Sequence, residues 1–324
     1  MDPLHFSFNI DFYVKKINEK YGAVNEDGIW LIPPIFDFVD PAGFDEYYWC
    51  TVGENNRYGF VNKKIEWVIP PIFEKMIDTR NMKLESFACC AYYGFGRFGL
   101  CQVREGDRWG FIDRSGQWVI QPQFQELQGF DAFGLAIAMQ NDLCGLINRE
   151  GQWVIEPTFN HIMVIEPVYE ELDWKLSLSG YIVQTTEGFE GLMNPDGTWI
   201  FEPIYDWNSL NPGRYCSLWG ASVNEKLGFL NPNGAWEIEP TFDNKYRHFD
   251  KNKLFIGEIN DYSVLINLQG DILYKGDSNV NISLEDDLTY KVIIGNYYGF
   301  LDVHGDWIVE PILDYVVPTF WEEE

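Results

Sequence analysis

Apolar and polar residues alternate along this chain in a pattern that returns eight times, with the short runs and turn punctuation of strands rather than the spacing of helices. Two copies show it plainly: residues 110–124 read GFIDRSGQWVIQPQF and residues 145–159 read GLINREGQWVIEPTF. Equivalent segments begin at Gly22, Gly59, Gly110, Gly145, Gly191, Gly228, Val264 and Gly299, spaced 35 to 51 residues apart. Three positions after each start stands Asn or Asp (Asn25, Asn62, Asp113, Asn148, Asn194, Asn231, Asn267, Asp302), and three further on stands Gly in every copy but one, where Ile65 replaces it. This is the chemistry of a type I turn closed by a residue with positive φ, so the segment predicts a β-hairpin with a G1-type bulge.

On the strand leaving that turn, Trp30, Trp67, Trp118, Trp153, Trp199, Trp236 and Trp307 share one place. Four residues on come Pro34, Pro71, Pro122, Pro157, Pro203, Pro240 and Pro311, and two beyond these Phe36, Phe73, Phe124, Phe159, Tyr205, Phe242 and Leu313. A proline has no ladder donor and is expected to end the strand, while an even spacing puts the Trp and the following aromatic on one face if the strand stays extended. A short apolar strand precedes each glycine, as at residues 135–139 (LAIAM), 181–184 (YIVQ) and 291–294 (KVII), joined to it by polar turns such as Gln140–Asn141–Asp142. The expected unit is a three-stranded antiparallel meander, about twenty-four strands in all by this alternation and turn spacing, with no amphipathic helix.

The fold class is therefore all-β: a tandem array of about eight such meanders, open and curved or superhelical, with a closed propeller-like ring as the alternative. Residues 1–20 are expected to form an N-terminal cap strand, residues 21–313 the repeats, and residues 314–324 an acidic tail. Intervals of 35 to 51 residues and three strands per unit favour the open form. Extra material enters at residues 80–99 and 161–180; within the first, residues 87–96 (FACCAYYGFG) are apolar enough to pack as a strand or loop. The seventh copy departs most, with Val264 for Gly, Ile272 for Trp and Gly276 for Pro, and is expected to be the weakest.

These positions resemble the unit of the WG-repeat family of bacterial β-repeat proteins, W-G-F-I-D-x-x-G-x-W-V-I-x-P-x-F/Y, and Trp109–Gly110 opens the best copy. Elsewhere the first tryptophan is replaced by Tyr21, Tyr58, Cys144, Glu190, Leu227, Ser263 and Tyr298, so an indole there is not needed by every unit. The resemblance implies repeat-mediated interaction, with no common enzymatic activity and no catalytic residues to transfer.

Composition narrows the partners. Aromatic residues make up 17% of the chain, enough apolar surface to offset chain entropy and exclude disorder. The charge balance of 23 Lys+Arg against 50 Asp+Glu gives −27, a field that repels nucleic acid and anionic membrane surfaces and suits a basic partner. Cys50, Cys89, Cys90, Cys101, Cys144 and Cys216 do not recur with the unit, as a disulfide framework would, and fit reduced thiols. No stretch reaches eighteen apolar residues and residues 1–20 lack an export pattern, so a cytoplasmic location is expected.

Candidate chemistry is sparse. The four histidines, His5, His161, His248 and His304, have no metal-ligand spacing, and no nucleophile–base pair is preselected. Residues 94–99 (GFGRFG) lack the lysine and the strand-to-helix context of a phosphate loop, and the acidic turns supply too few oxygens for calcium. No cofactor, no metal and no catalysis are expected. Core positions in a repeat recur, so aromatics out of phase, Tyr47, Tyr48, Trp49, Tyr92 and Tyr93, are the candidate partner contacts. The expected function is a non-enzymatic protein-binding scaffold, such as an immunity or adaptor protein engaging a basic partner; the alternative is a carbohydrate or cell-envelope binding module using exposed aromatics. The sequence leaves the oligomeric state open.

Overall fold

A computed structural model describes residues 12–41, 43–44, 49–74, 96, 98–165, 178–213, 215–243 and 248–314. Among these there is no helix. There are eight separate antiparallel sheets, at residues 13–36, 38–73, 101–124, 126–159, 161–205, 211–242, 255–275 and 280–314, here numbered 1 to 8. The chain divides into two compact units, Met1–Met163 and Val164–Glu324, with the division inside the strand His161–Ile165.

Sheet 3 shows how the sequence makes a unit. An incoming strand, Cys101–Glu105, pairs with the glycine strand, Arg108–Ile112, and this pairs with the outgoing strand, Trp118–Phe124. The incoming hairpins close through two-residue loops except in sheet 5, where residues 185–189 separate Gln184 from Glu190; Asn55–Asn56, Asn141–Asp142, Asn224–Glu225 and Asn260–Asp261 have φ between 50° and 68° at both residues, the backbone of a type I′ turn. The second turn forms in all eight copies as its residues dictate. The Asn or Asp carbonyl accepts the N–H three residues on at 2.9–3.1 Å, and its own N–H donates to the carbonyl four residues on at 2.8–3.1 Å. Its side chain adds bonds, as where Asp113 Oδ1 accepts the N–H groups of Ser115 and Gln117 at 2.8 and 3.0 Å. The closing residue is left-handed throughout, including Ile65 at φ 62°.

Five sheets depart from the expected three strands. Short leading strands, Phe38–Val39, Glu126–Leu127, His161–Ile165, Asn211–Pro212 and Val280–Leu284, make sheets 2, 4, 5, 6 and 8 four-stranded. Three of them are only two residues long, too brief to carry an alternation that a sequence pattern registers. The strand-count argument for an open array therefore does not hold.

The prolines do not end their strands. Each outgoing strand of the seven Trp-bearing units runs through its proline, and the extra residues bulge. In sheet 3, Phe111 faces Ile120 and Trp109 faces Phe124, so the single residue between them on one strand, Gly110, opposes three on the other, Gln121, Pro122 and Gln123. The bulge lies directly over Gly110: a Cβ there would sit 2.4 Å from the Ile120 carbonyl oxygen and 2.9 Å from the Pro122 nitrogen. The same clash stands at Gly22, Gly59, Gly145, Gly191, Gly228 and Gly299. The recurring glycine is thus set by close backbone approach. Sheet 7 supplies the counter-case, because Val264 pairs directly with Lys275 and no second bulge follows. Where the proline is lost to Gly276, a β-branched residue fits at the glycine position.

The first bulge along the strand, between the Trp and the residue two beyond it, changes which face the indole takes. The Trp turns back to the preceding sheet and the later aromatic faces the next, against the expected shared face. Edge-to-face pairs result: Phe36–Trp67, Phe73–Trp118, Phe124–Trp153, Tyr205–Trp236 and Tyr274–Trp307, with centroids 5.4–5.9 Å apart and planes at 79–83°. In the seventh unit Tyr274, two places after Ile272, takes over the missing aromatic's contact. Cores lie between sheets 1 and 2, 2 and 3, 3 and 4, 6 and 7, and 7 and 8. Phe60, Ile69 and Phe73 of sheet 2, for example, are buried with Cys101, Val103 and Ile112 of sheet 3.

Candidate partner-binding surface

At the end of five outgoing strands the residue after the aromatic, Asp37, Glu74, Gln125, Asp206 or Asp243, ties its unit to the next. Asp37 donates its backbone N–H to Gly53 O at 2.8 Å, and its Oδ2 accepts the Asn55 N–H at 2.8 Å from the following hairpin turn. Glu74 accepts from Gly106, Gln125 from Asp142, Asp206 from Glu225 and Asp243 from Asn260 in the same way, at 2.8–3.0 Å. Lys20 lies 2.6 Å from Asp37 Oδ1, and Lys226 repeats the ion pair with Asp243. The Lys20 ammonium and then the Asn55 N–H hold the Asp37 carboxyl below the usual carboxylate range; Lys226 and Asn260 do so for Asp243. The sequence carries this signal, a polar Asp, Glu, Asn or Gln after each aromatic (Asp37, Glu74, Gln125, Asn160, Asp206, Asp243), but turn chemistry alone does not expose it.

The sign of the pH dependence follows. A carboxyl whose folded pKa is depressed contributes stability that is present above its unfolded value and disappears as pH falls through the folded one. The coupling between neighbouring units is therefore expected to weaken below about pH 4. The double variant Asp37→Asn, Asp243→Asn is expected to be less stable than the parent chain at neutral pH and to lose less stability on acidification through about pH 4, measured by urea unfolding followed by far-UV circular dichroism at each pH.

With those acids committed to the fold, the free surface lies on the outgoing strands. Each is the outermost strand of its sheet. Exposed aliphatic residues recur there: Ile35, Ile72, Val119, Val154, Ile204, Ile308 and Ile312, with Ile204 57% and Ile312 71% exposed. Among them stand Glu156, Glu202, Glu237, Glu239 and Glu310, all exposed, with carboxylates that meet no hydrogen-bond or ion-pair partner among the described residues. A polar cleft of about 430 Å³ lies at the turn end of sheets 2 and 3, lined by Asn55, Asn56, Arg57, Glu74, Arg104 and Gly106.

Of the five aromatics singled out by sequence, Tyr47, Tyr48, Tyr92 and Tyr93 lie outside the described residues. Trp49 is half-buried, packed against the core between sheets 2 and 3 with Phe60 at 6.3 Å and the Arg114 guanidinium 5.3 Å from its ring centre. Trp67, Trp118, Trp153, Trp236 and Trp307 have one side taken by the preceding unit, and even the most open of the in-phase indoles, Trp30 and Trp67, are only 38% and 37% exposed. Glu190, at the place where Trp109 stands in sheet 3, is buried and accepts the backbone N–H groups of Ser209 and Leu210 at 2.8 and 2.9 Å. An anchored carboxylate thus replaces the indole of the motif.

Among the described residues no three His, Cys, Asp or Glu side chains converge as metal ligands would. The described cysteines are free thiols; burial, and then Glu126, pushes the Cys144 thiol up to about 12.

The eight meanders, their alternating bulges and their shared inter-sheet cores define an all-β tandem-repeat protein. The chain belongs to the WG-repeat family: the model of the WG containing repeat matches residues 21–49, 58–81, 109–144, 145–166, 191–207 and 298–323. No curated protein matches it. Among solved structures, one described as a eukaryotic initiation factor is 8% identical, covering 93% of this chain and 84% of that one with a TM-score of 0.40. Kluyveromyces lactis Hsv2p is 9% identical over 90% of this chain and 89% of its own, TM-score 0.33, and apo AztD from Citrobacter koseri is 11% identical over 94% and 95%, TM-score 0.28.

Proposed function

We propose that this chain is a non-enzymatic protein-binding scaffold, of the immunity or adaptor kind, that works in the cytoplasm and engages a basic partner through its acidic surface. The observation that carries the reading is a division of labour among its carboxylates. The carboxylates of Asp37, Glu74, Asp206 and Asp243 are consumed in holding unit to unit, whereas those on the outer strands are unpaired among the described residues beside exposed aliphatic side chains. Unpaired charge beside apolar surface is the composition of a binding face rather than of a core. The reading includes an open array of the eight units, for which a small-angle scattering profile of an elongated particle is the expected result and a compact disc the contrary one.

The test is affinity capture from native lysate at low ionic strength, followed by elution with salt. Retained proteins are expected to be basic and to be released as salt rises, because exposed charge pairs are screened over about 10 Å at 0.1 M. A specific partner whose affinity is indifferent to salt would contradict the electrostatic part of this reading.

A further inference from the structure

Resting on that reading, we infer that the docking surface is the exposed side of the outgoing strands, and that its occupant is a cationic protein segment carrying aliphatic residues between its lysines or arginines. Three strands of the second unit define it most fully: Trp199–Tyr205, Trp236–Phe242 and Trp307–Asp314. Their exposed residues are Glu202 and Ile204, then Glu237, Glu239 and Thr241, then Ile308, Glu310 and Ile312. Glutamates and isoleucines are interleaved in the first and third strands, and the second is the most acidic.

Three observations fix the chemistry of the partner. The first is charge complementarity. Across the seven Trp-bearing units, the positions one, three and five after the Trp include five glutamates and not one lysine or arginine. Lys275 holds such a place only in the seventh unit, and its ammonium lies 4.7 Å from the centre of the Tyr262 ring. The second is availability. The glutamate carboxylates are unpaired among the described residues, so a cation meeting them displaces no partner there. The third is the edge itself. These strands are outermost, but each carries a proline without an N–H, which obstructs the addition of a further strand through the backbone. Recognition is therefore carried by side chains. The isoleucines give up exposed apolar area to the partner's aliphatic groups while its ammonium or guanidinium groups meet the glutamates.

The recurrence of this surface also changes the sequence argument that partner positions need not repeat. On a duplicated module an exposed position repeats as faithfully as a buried one. The exposed aliphatic residues stand in phase because each copy presents the same outer strand.

The experiment uses the full chain and a short synthetic peptide of alternating lysine and valine, with a glutamate and valine peptide as the charge-reversed control, read by isothermal titration calorimetry at low and moderate salt. Three sets of variants are compared after circular dichroism shows that each retains its β-structure: Glu202→Lys with Glu239→Lys and Glu310→Lys; Ile204→Ser with Ile312→Ser; and Asp27→Lys with Glu105→Lys and Glu187→Lys, exposed carboxylates away from the outgoing strands. The lysine peptide is expected to bind the parent chain and the glutamate peptide not to. The first set is expected to weaken binding at least about tenfold, the second several-fold, and the third by no more than about twofold. Equal losses from the first and third sets would show that net charge alone attracts the peptide and would overturn this surface while leaving the electrostatic reading of function intact. No loss from the isoleucine set would overturn the apolar half of the inference. Absence of lysine-peptide binding even at low salt would overturn both this inference and the basic-partner reading on which it rests.

Discussion

Replacing Gly110 by alanine is expected to destabilise sheet 3 by about 3 kcal/mol, far more than the same exchange at an ordinary strand glycine. The added methyl would be placed 2.4 Å from the Ile120 carbonyl oxygen, and the opposing atoms are backbone, held by the bulge around Pro122 and unable to rotate away. Relief requires the outgoing strand to lose its bulge, which would shift the register that points Phe124 into the core. Gly28 is the matched comparison. It has φ 77° but open space around its Cβ position, so alanine there meets only conformational strain, about 1 kcal/mol. Repeat arrays can unfold in steps, so the local quantity to follow is amide exchange across residues 101–124 rather than a single melting midpoint. Equal exchange in the Gly110→Ala and Gly28→Ala proteins would remove close approach as the reason for the recurring glycine.

Truncating Phe124 to alanine is the other large effect, with an expected loss of about 3–5 kcal/mol. The side chain is 2% exposed, belongs to the core shared by sheets 3 and 4, and meets Trp153 edge to face at 5.4 Å. Because Trp153 is reached across the junction between two units, Phe124→Ala and Trp153→Ala are expected to be non-additive in a double-mutant cycle by about 1 kcal/mol, the worth of an aromatic pair beyond its area. Additive losses would mean that the two rings stabilise their own sheets independently.

The parts of this fold legible in the sequence are those fixed by local backbone chemistry. Asn148 and Gly151 specify their turn wherever the segment is placed, because Asn bonds its own backbone and Gly accepts the positive φ. Trp, Pro and the following aromatic were identified as structural by their phase. Their consequences were hidden because each depends on another strand. A proline reads as a strand end until the glycine opposite is seen to accept the bulge, and the Trp reads as sharing the later aromatic's face until the first bulge is seen to turn it over. The change of Val264 and Gly276 together looked like erosion, but it is a matched exchange that removes bulge and glycine at once. The short strands Phe38–Val39 and Glu126–Leu127 arise from proximity to the next unit, which no local pattern encodes. At the surface, Trp49 stands out of phase and yet packs on a core, while the exposed isoleucines stand in phase, where recurrence alone reads as burial.

Hydrogen–deuterium exchange across the Phe124→Ala protein tests the central claim most directly, that one duplicated module stands by the contacts each copy makes with the next. The predicted result is faster exchange in residues 101–124 and 126–159 together, with residues 255–275 and 280–314 unchanged from the parent chain. A loss confined to residues 101–124, or one spread evenly through all eight sheets, would contradict it.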